Sequence, residues 1–229
     1  MASNKSEETL IDVADAYSKT ETFINKNSKH ITTGILIVLG AIVAFFAYQK
    51  FIIEPQNEEA AAMMWKSEYY FGIDSLRLAL EGDGNNYGFL DVAEEYGSTP
   101  AGNLATHYAG LSYLNLGDYE SAVMYLDKAS FDDVLVEATR LGALGDAYLE
   151  LGDWDKAISS YEKSVSHTAN DFTTPIYLKK LGLAYEAAGN PQKALDSFQR
   201  IKVEFGQTNA GRDIEKHIAR VTAALAANG

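Results

Sequence analysis

Histidines, which often act as acids, bases or metal ligands, are few and far apart in this sequence. The four histidines are spread along the chain as His30, His107, His167 and His217, and no two have the spacing of paired metal ligands. Asp213 precedes His217 by four residues, which we interpret as an exposed helical pair. Cysteine is absent, and no nucleophile elbow, Walker loop or dinucleotide-binding fingerprint is found. The sequence therefore predicts a protein that is not an enzyme, with no catalytic residue, no cofactor and no resident metal.

One loop comes close to a calcium-binding motif. The stretch DGNNYGFLDVAE begins at Asp83 and lies between two predicted helices, as the loop of an EF-hand does. Six positions match that motif: Asp83, Asn85, Gly88, Leu90, Asp91 and Glu94. Tyr87, however, stands at the fifth place, where an oxygen ligand is required. We therefore predict an ordinary hairpin loop, and the sequence alone leaves open whether the 83–94 loop binds any cation.

Composition and charge exclude several classes of partner. The chain has 229 residues, of which 47% are hydrophobic, enough for a packed core rather than a disordered acidic tail. Its 32 acidic and 19 basic side chains give a formal net charge of −13. Residues 56–229 hold 26 of the acidic and 14 of the basic groups, so almost all of the excess lies there. Such a surface disfavours nucleic acid and anionic headgroups, and it favours basic or apolar polypeptide segments.

A long apolar segment near the N-terminus predicts a transmembrane helix over residues 31–53. The 18 residues from Ile31 to Tyr48 carry no charge, and the apolar FII follows at 51–53. Such a length covers the roughly 30 Å hydrocarbon thickness of a bilayer. A buried core helix and a cleaved signal peptide are the alternatives, but about thirty residues precede the segment, which favours an uncleaved signal anchor.

The flanking charges predict how this helix is oriented. Lys19, Lys26 and Lys29 lie on its N-terminal side, whereas Lys50 alone lies close to its other end. The excess of positive charge places the N-terminus in the cytoplasm. Residues 56–229 are then outside the cytoplasm, which in a bacterium is the periplasm, with the protein held in the inner membrane by a single span.

The N-terminal tail, residues 1–30, carries a weak helical pattern. Apolar residues recur at helical spacing at Leu10, Val13, Ala14 and Tyr17. A short amphipathic helix and a disordered tail are both compatible with this pattern, and the sequence does not decide between them.

Three segments of the C-terminal part align with one another. They are YAGLSYLNLGDYESAVMYLDKA from Tyr108, LGALGDAYLELGDWDKAISSYEKS from Leu141 and LKKLGLAYEAAGNPQKALDSFQRI from Leu178. Equivalent tyrosines are separated by 35 and 37 residues, against about 34 in a tetratricopeptide repeat. The segments resemble that family. The resemblance implies an all-α fold in which the transmembrane helix is followed by an α-solenoid of stacked helical hairpins.

The shared residues suggest how the helices of each repeat pack. A glycine in the first helix and an alanine in the second allow close approach, and large aromatic residues fill the space between repeats, among them Trp154 and Phe198. The predicted packing positions are Gly110, Tyr113, Ala122, Gly145, Tyr148, Ala157, Gly182, Tyr185 and Ala194. A glycine also stands between the two helices of each repeat, where a left-handed conformation ends the first helix.

We predict two further segments around these repeats. Residues 56–102 form a degenerate first unit, with a long helix over 58–80, a loop and a second helix from Phe89. Residues 103–205 hold the three repeats, and 206–229 form a capping helix. The sequences EEYGSTPAGNLA and VEFGQTNAGRDI, at 94–105 and 203–214, are similar to each other and predict two equivalent helix-to-helix joints.

The first helices of such repeats line a concave face that binds peptides or partner helices. Alignment with the family predicts the following residues on that face: Leu104, His107, Leu111, Leu114, Thr139, Asp146, Leu149, Ile176, Lys179, Leu183 and Glu186. In members that clamp the carboxylate tail of cytosolic chaperones, basic and Asn side chains stand where this chain has His107, Leu111, Asp146, Ile176 and Lys180. Only Lys180 keeps that character, so we expect apolar or basic segments rather than acidic tails.

The whole layout resembles a narrower group. A tail that ends in TFINKNSKH, the span GILIVLGAIVAFF and the repeats with YGFLDVAEEYGSTPAGNLATHYAGLSYLNLGDYESAV are similar to the YfgM group of ancillary SecYEG translocon subunits. The resemblance implies association with SecYEG and with a PpiD-like chaperone, and transfer of emerging polypeptides to periplasmic folding factors. A membrane-tethered scaffold for another envelope complex, such as a secretion or division machine, has the same fold and stays an alternative.

Overall fold

The described elements of this protein are all helices. The computed structural model describes residues 3–167 and 169–227, with side chains from Lys19 onwards except that of His167. Two compact units are present, Met1–Pro55 and Gln56–Gly229. No strand occurs among the described residues, so the prediction of an all-α fold is confirmed.

The N-terminal unit is built from one long helix. Helix α1 runs over Ser3–Tyr48 and is followed by a π-helical turn at Gln49–Ile53. Almost every described side chain between positions 19 and 50 is exposed, and this segment is long and apolar enough to cross a membrane. Helix α1 therefore contains the described part of the predicted tail and the predicted span as far as Tyr48. The side chains of the predicted amphipathic pattern (Leu10, Val13, Ala14 and Tyr17) lie outside the described part of the structure.

The second unit is a stack of short helices. All but the first two residues of α2 Glu54–Gly72 belong to it, and its other elements are α3 Leu76–Glu81, α4 Phe89–Glu95, α5 Pro100–Leu116, α6 Tyr119–Lys128, α7 Val134–Glu150, α8 Trp154–His167, α9 Thr174–Ala187, α10 Pro191–Glu204, α11 Asn209–Arg212 and α12 Ile214–Ala227. From α4 to α10 each helix packs on the next, and α12 packs on α10. The pairs α5/α6, α7/α8 and α9/α10 are the three predicted repeats, so the solenoid is confirmed. The first of them begins at Pro100, slightly before the predicted boundary.

The turns inside the repeats follow the glycine and aspartate pattern of the sequence. Gly117, Gly152 and Gly189 have φ angles of 81°, 75° and 75°. This left-handed conformation is unfavourable for residues with a Cβ atom. The next residue caps the second helix in two repeats. The Ser121 N–H donates to Asp118, and the Lys156 N–H donates to Asp153. The sequence therefore determines both the end of one helix and the start of the next.

Close packing within each repeat depends on a glycine and a large residue. A Cβ atom on Gly145 would lie 2.6 Å from the Tyr161 ring, and one on Gly110 would lie 2.7 Å from Leu126. In the third repeat the equivalent glycine lies against the Phe198 ring. We predicted that the alanines stand opposite these glycines; the atoms nearest to each glycine belong to the residue one turn after the alanine. The alanines, Ala122, Ala157 and Ala194, are themselves fully buried.

Most of the predicted aromatic packing positions lie inside the stack. Tyr185 and Phe198 are buried, and the Tyr113 ring stacks on Tyr125 with its centroid 5.4 Å away. Trp154 is the exception, because 41% of it is exposed. It is the first residue of α8 and directly follows the turn, so it lies at the end of the helix pair and is not enclosed by the stack. The prediction that Trp154 fills the core is wrong.

The degenerate first unit differs from the predicted single helix over 58–80. Helix α2 ends at Gly72, and the chain turns through Asp74, whose φ angle is 61°, before α3 begins at Leu76. The Ser75 N–H donates to the Tyr70 carbonyl at 2.9 Å and closes this turn. The break lets the apolar face of α3 enter the core that surrounds Phe89.

The two similar sequences at 94–105 and 203–214 form equivalent joints. In each joint a threonine hydroxyl accepts a hydrogen bond from the N–H group of a glycine three residues later, at 3.0 Å for Thr99 and 3.2 Å for Thr208. A Cβ atom on either of those glycines would collide with the backbone at the end of the preceding helix. The predicted helix-to-helix transitions are therefore confirmed at both positions.

Candidate functional site

The predicted concave residues lie on the first helices of the repeats but differ in exposure. Ile176 and Leu183 of α9 are 50% and 39% exposed, whereas His107 of α5 is buried. The remaining predicted residues are partly exposed.

Three of the predicted residues line one apolar cavity of about 310 Å³ between α7, α8 and α9. We call it the apolar cavity and define it by Asp146, Leu149, Trp154, Tyr161, Lys180, Leu183, Ala184 and Ala187. The prediction identified Asp146, Leu149 and Leu183 as binding residues. It assigned Trp154 to the space between repeats, and it did not place Tyr161, Lys180, Ala184 or Ala187 on the concave face. The one feature of the sequence that could have indicated an exposed Trp154 is its position directly after the Gly-Asp turn.

The polar groups of the apolar cavity satisfy one another. The Lys180 ammonium lies 2.6 Å from one carboxylate oxygen of Asp146 and 2.7 Å from the other. The Tyr161 hydroxyl donates to Asp146 at 2.6 Å, and burial together with this bond raises the pKa of Tyr161. Lys180 was the single residue that matched a carboxylate clamp. Its charge is neutralised by Asp146, which leaves the cavity with mainly apolar walls.

A second, shallower cleft adjoins the apolar cavity and shares Trp154 with it. We call it the acidic cleft and define it by Leu151, Gly152, Asp153, Trp154, Asp155 and Ala188. The Lys156 ammonium pairs with Asp153 at 2.8 Å, and hydrogen bonds from Lys156 hold the pKa of Asp153 below its ordinary value. Asp155 is exposed in the first turn of α8. Trp154 is therefore shared by a cavity with mainly apolar walls and a cleft that two acidic residues line.

His107 is a core residue rather than part of a binding face. Its ring lies 5.3 Å from the Phe131 ring, edge to face, and its Nδ1 atom has no hydrogen-bond partner within the described residues. Burial, followed by the charge of Arg140, lowers the pKa of His107 to about 4. The loop between the first two repeats covers this position, so the alignment placed His107 on the wrong surface.

One predicted binding residue, Glu186, forms an ion pair with the C-terminal helix. Two nitrogens of Arg220 on α12 pair with Glu186 at 2.6 and 2.8 Å. The predicted exposed pair of Asp213 and His217 is wrong as well, because His217 is buried with its ring 5.2 Å from that of Phe198. Burial, followed by the charge of Arg220, lowers the pKa of His217. Asp213 instead lies 3.6 Å from the Lys216 ammonium.

The loop that resembles an EF-hand is closed by its own hydrogen bonds. The Asp83 carboxylate accepts bonds from the N–H groups of Asn85 and Asn86 and from the Tyr70 hydroxyl, at 2.8–2.9 Å, and these bonds lower its pKa. The Tyr87 carbonyl accepts a bond from Ser67. Among the described residues no group of three or more His, Asp or Glu side chains is arranged to hold a metal ion.

Comparison with known proteins identifies the repeats. Tetratricopeptide repeat models match residues 135–201 and 109–130. A crystal structure of the putative kinesin light chain of Podosopora anserina, with nearly identical tetratricopeptide-like repeats, is 16% identical over 73% of this chain and 87% of that chain, with a TM-score of 0.56. A second crystal structure of that protein, carrying one substitution, gives the same values. The MamA protein is 22% identical over 81% of this chain and 94% of that chain, with a TM-score of 0.47. No curated protein matches in sequence.

Proposed function

We propose that this chain, which contains tetratricopeptide repeats, is a membrane-anchored binding protein that serves a SecYEG protein translocon as an accessory subunit. The observation that carries the proposal is the order of its parts. A segment able to cross a membrane is followed, after a degenerate helical unit, by repeats with an accessible apolar cavity. Such repeats are protein-interaction scaffolds, so the activity is binding rather than catalysis.

The orientation follows from the flanking lysines. Three of them precede the span and one follows it, which keeps the N-terminus in the cytoplasm and the repeats in the periplasm. Protease protection in spheroplasts tests this step. Protease added outside should digest the repeats and leave an N-terminal fragment, and full protection of the repeats would contradict the orientation.

The charge of the repeat unit suits polypeptides that emerge at a membrane. Its excess of acidic groups repels anionic headgroups, which keeps the repeats available for other chains. The partners we propose are the translocon, a PpiD-like chaperone and translocating polypeptides that present apolar or basic segments.

Affinity purification tests the translocon assignment directly. The tagged full-length protein is extracted in mild detergent, and its co-purifying proteins are compared with those of an unrelated single-span protein of similar abundance. We expect translocon subunits to be enriched with this protein alone. Equal recovery with both, or a dominant partner from a secretion or division assembly, would contradict the proposal.

A further inference from the structure

We propose that the junction of the second and third repeats binds a polypeptide segment in which an apolar side chain is flanked by Lys or Arg. The inference rests on the proposed function in one respect, namely that the repeats bind polypeptides. It adds the chemistry of the bound segment and the residues that select it. The apolar cavity takes the apolar side chain, and the acidic cleft takes the basic one.

The apolar half of this site is formed by exposed hydrophobic residues that line the apolar cavity. Trp154 and Leu183 remain 41% and 39% exposed, although both border a volume of about 310 Å³. This volume is at the lower end of the roughly 300–1,000 Å³ of ligand pockets, which suits one or two side chains better than a whole cofactor. Covering Trp154 and Leu183 removes apolar surface from water and so favours binding.

The basic half follows from charge complementarity at Trp154. Asp155 directly follows this residue in the acidic cleft, and Glu150 is exposed at the end of α7, whereas Asp153 is already paired with Lys156. A Lys or Arg of the bound segment would face these carboxylates and the Trp154 ring, which attracts cations through its π-electrons. An acidic segment would instead be repelled by the same groups.

The floor of the apolar cavity also disfavours acidic ligands. The ammonium of Lys180 is held between both oxygens of Asp146, and the pair has no net charge. A carboxylate that enters must compete with Asp146 for Lys180 and is repelled by Asp146 itself. The site therefore selects against the acidic tails that related repeats capture.

The first repeat offers matched positions for control variants. Its turn has the same pattern, so Leu116, Tyr119 and Glu120 correspond to Leu151, Trp154 and Asp155. Leu116 is exposed to a degree similar to Leu183, and Glu120 is exposed like Asp155. The three control residues, Leu116, Tyr119 and Glu120, line neither the apolar cavity nor the acidic cleft.

The fluorescence of Trp154 measures occupancy of the site. The chain has two tryptophans, and a Trp65→Phe background leaves Trp154 as the only one. The full-length protein is placed in nanodiscs of uncharged phosphatidylcholine, so that basic peptides are not drawn to the lipid. Three peptides of about ten residues, each in a Gly-Ser background, are titrated. The Lys–Leu peptide has two central Leu residues flanked by Lys, and the Glu–Leu peptide has the same Leu pair flanked by Glu. The Lys–Ser peptide has two central Ser residues flanked by Lys.

We expect the Lys–Leu peptide to shift Trp154 emission to shorter wavelengths and to bind on the order of tenfold more tightly than the Glu–Leu peptide. Added salt should reduce this difference, and the Lys–Ser peptide should cause no shift. Leu183→Ser should abolish the shift, and Asp155→Lys should remove the preference for the Lys–Leu peptide. Leu116→Ser and Glu120→Lys should change neither. Circular dichroism of each variant checks that the helices remain folded.

The outcomes that overturn the inference are distinct from those that overturn the translocon role. Equal affinity for the Lys–Leu and Glu–Leu peptides, with no salt dependence, would disprove the charge selection. The absence of any Trp154 shift in the unsubstituted site would disprove the site itself. Loss of translocon subunits from the purification, with peptide binding intact, would contradict the translocon role and support the site.

Discussion

Lys180 of α9 forms an ion pair with Asp146 of α7 across the boundary between the second and third repeats. Its ammonium lies 2.6 and 2.7 Å from the two carboxylate oxygens, and the Tyr161 hydroxyl donates to the same group. The resemblance described above assigns both residues to positions that contact an acidic tail in some tetratricopeptide repeats. In this chain Asp146 is the counter-ion of Lys180.

Asp146→Asn should convert the cavity into a weak site for acidic tails. The amide keeps an oxygen for the Tyr161 hydroxyl but no longer neutralises Lys180. We expect affinity for a peptide that ends in two aspartates to rise on the order of tenfold, measured by Trp154 fluorescence in the Trp65→Phe background. Because Lys180 is 39% exposed, we expect the pair to contribute no more than about 1 kcal/mol to stability.

A double variant separates this effect from a general change of charge. Asp146→Asn combined with Lys180→Met should bind the acidic peptide as weakly as the unsubstituted protein does. If the gain persists without Lys180, the peptide is held by other groups and Asp146 is not the counter-ion that excludes it.

The elements that recur in the sequence were the ones that could be predicted. The Gly-Asp turns and the two joints around Thr99 and Thr208 combine a glycine with a capping side chain, and both are local interactions within a few residues. Each also occurs more than once, so the alignment of repeats reveals it. The α5–α10 hairpins follow from these boundaries and from the apolar pattern between them.

The features that could not be predicted depend on contacts distant in sequence. The break at Asp74 exists because α3 packs under Phe89, a residue in a later helix. His107 is buried by Phe131, which lies in an irregular loop that no helical periodicity describes. Trp154 is exposed because it is the first residue of α8, at the end of its helix pair. The candidate site was therefore predicted only in part.

Gly145→Ala should destabilise the repeat unit by about 1–3 kcal/mol through overpacking. The new Cβ atom would lie 2.6 Å from the Tyr161 ring, and that ring is fully buried and held by Asp146, so it cannot move aside. Guanidinium unfolding of the full-length protein, followed by circular dichroism, measures the loss. Gly72→Ala is the matched control, since no atom lies within 4 Å of its Cβ position. Equal stability of the two variants would contradict the packing described for this repeat.

Arg140→Met should remove the support of the loop between the first two repeats. The Arg140 guanidinium pairs with Glu137 at 2.6 Å and donates to the Leu126 carbonyl at 2.7 Å, and Glu137 accepts the Phe131 N–H. The side chains of the pair are only 9% and 12% exposed, so removal of Arg140 leaves a buried charge without its counter-ion. We expect a loss of about 3 kcal/mol in guanidinium unfolding.

An exposed ion pair gives the comparison for Arg140. Lys156 and Asp153 also pair at three residues' separation, but their side chains are 62% and 35% exposed. Because water screens this pair, Lys156→Met should lose much less stability than Arg140→Met in the same measurement. If the two variants lose similar amounts of stability, burial does not determine the contribution of the Arg140 pair.

His107 should make the repeat unit less stable in mild acid. Burial lowers its pKa from 6.5 to about 4 in the folded state, so between these values the unfolded chain binds a proton that the folded chain does not. Protonation therefore favours unfolding, and stability falls as the pH drops from about 6.5 towards 4, by on the order of 3 kcal/mol. His107→Leu should remove this part of the pH dependence, since leucine does not titrate.

Guanidinium unfolding at several pH values measures the difference in stability between the unsubstituted protein and the His107→Leu variant, which cancels the contribution of other titrating groups. His30→Gln, at an exposed position of α1, controls for loss of a histidine outside the repeats. A slope that is unchanged by His107→Leu would show that His107 is protonated as easily in the folded chain as in the unfolded one.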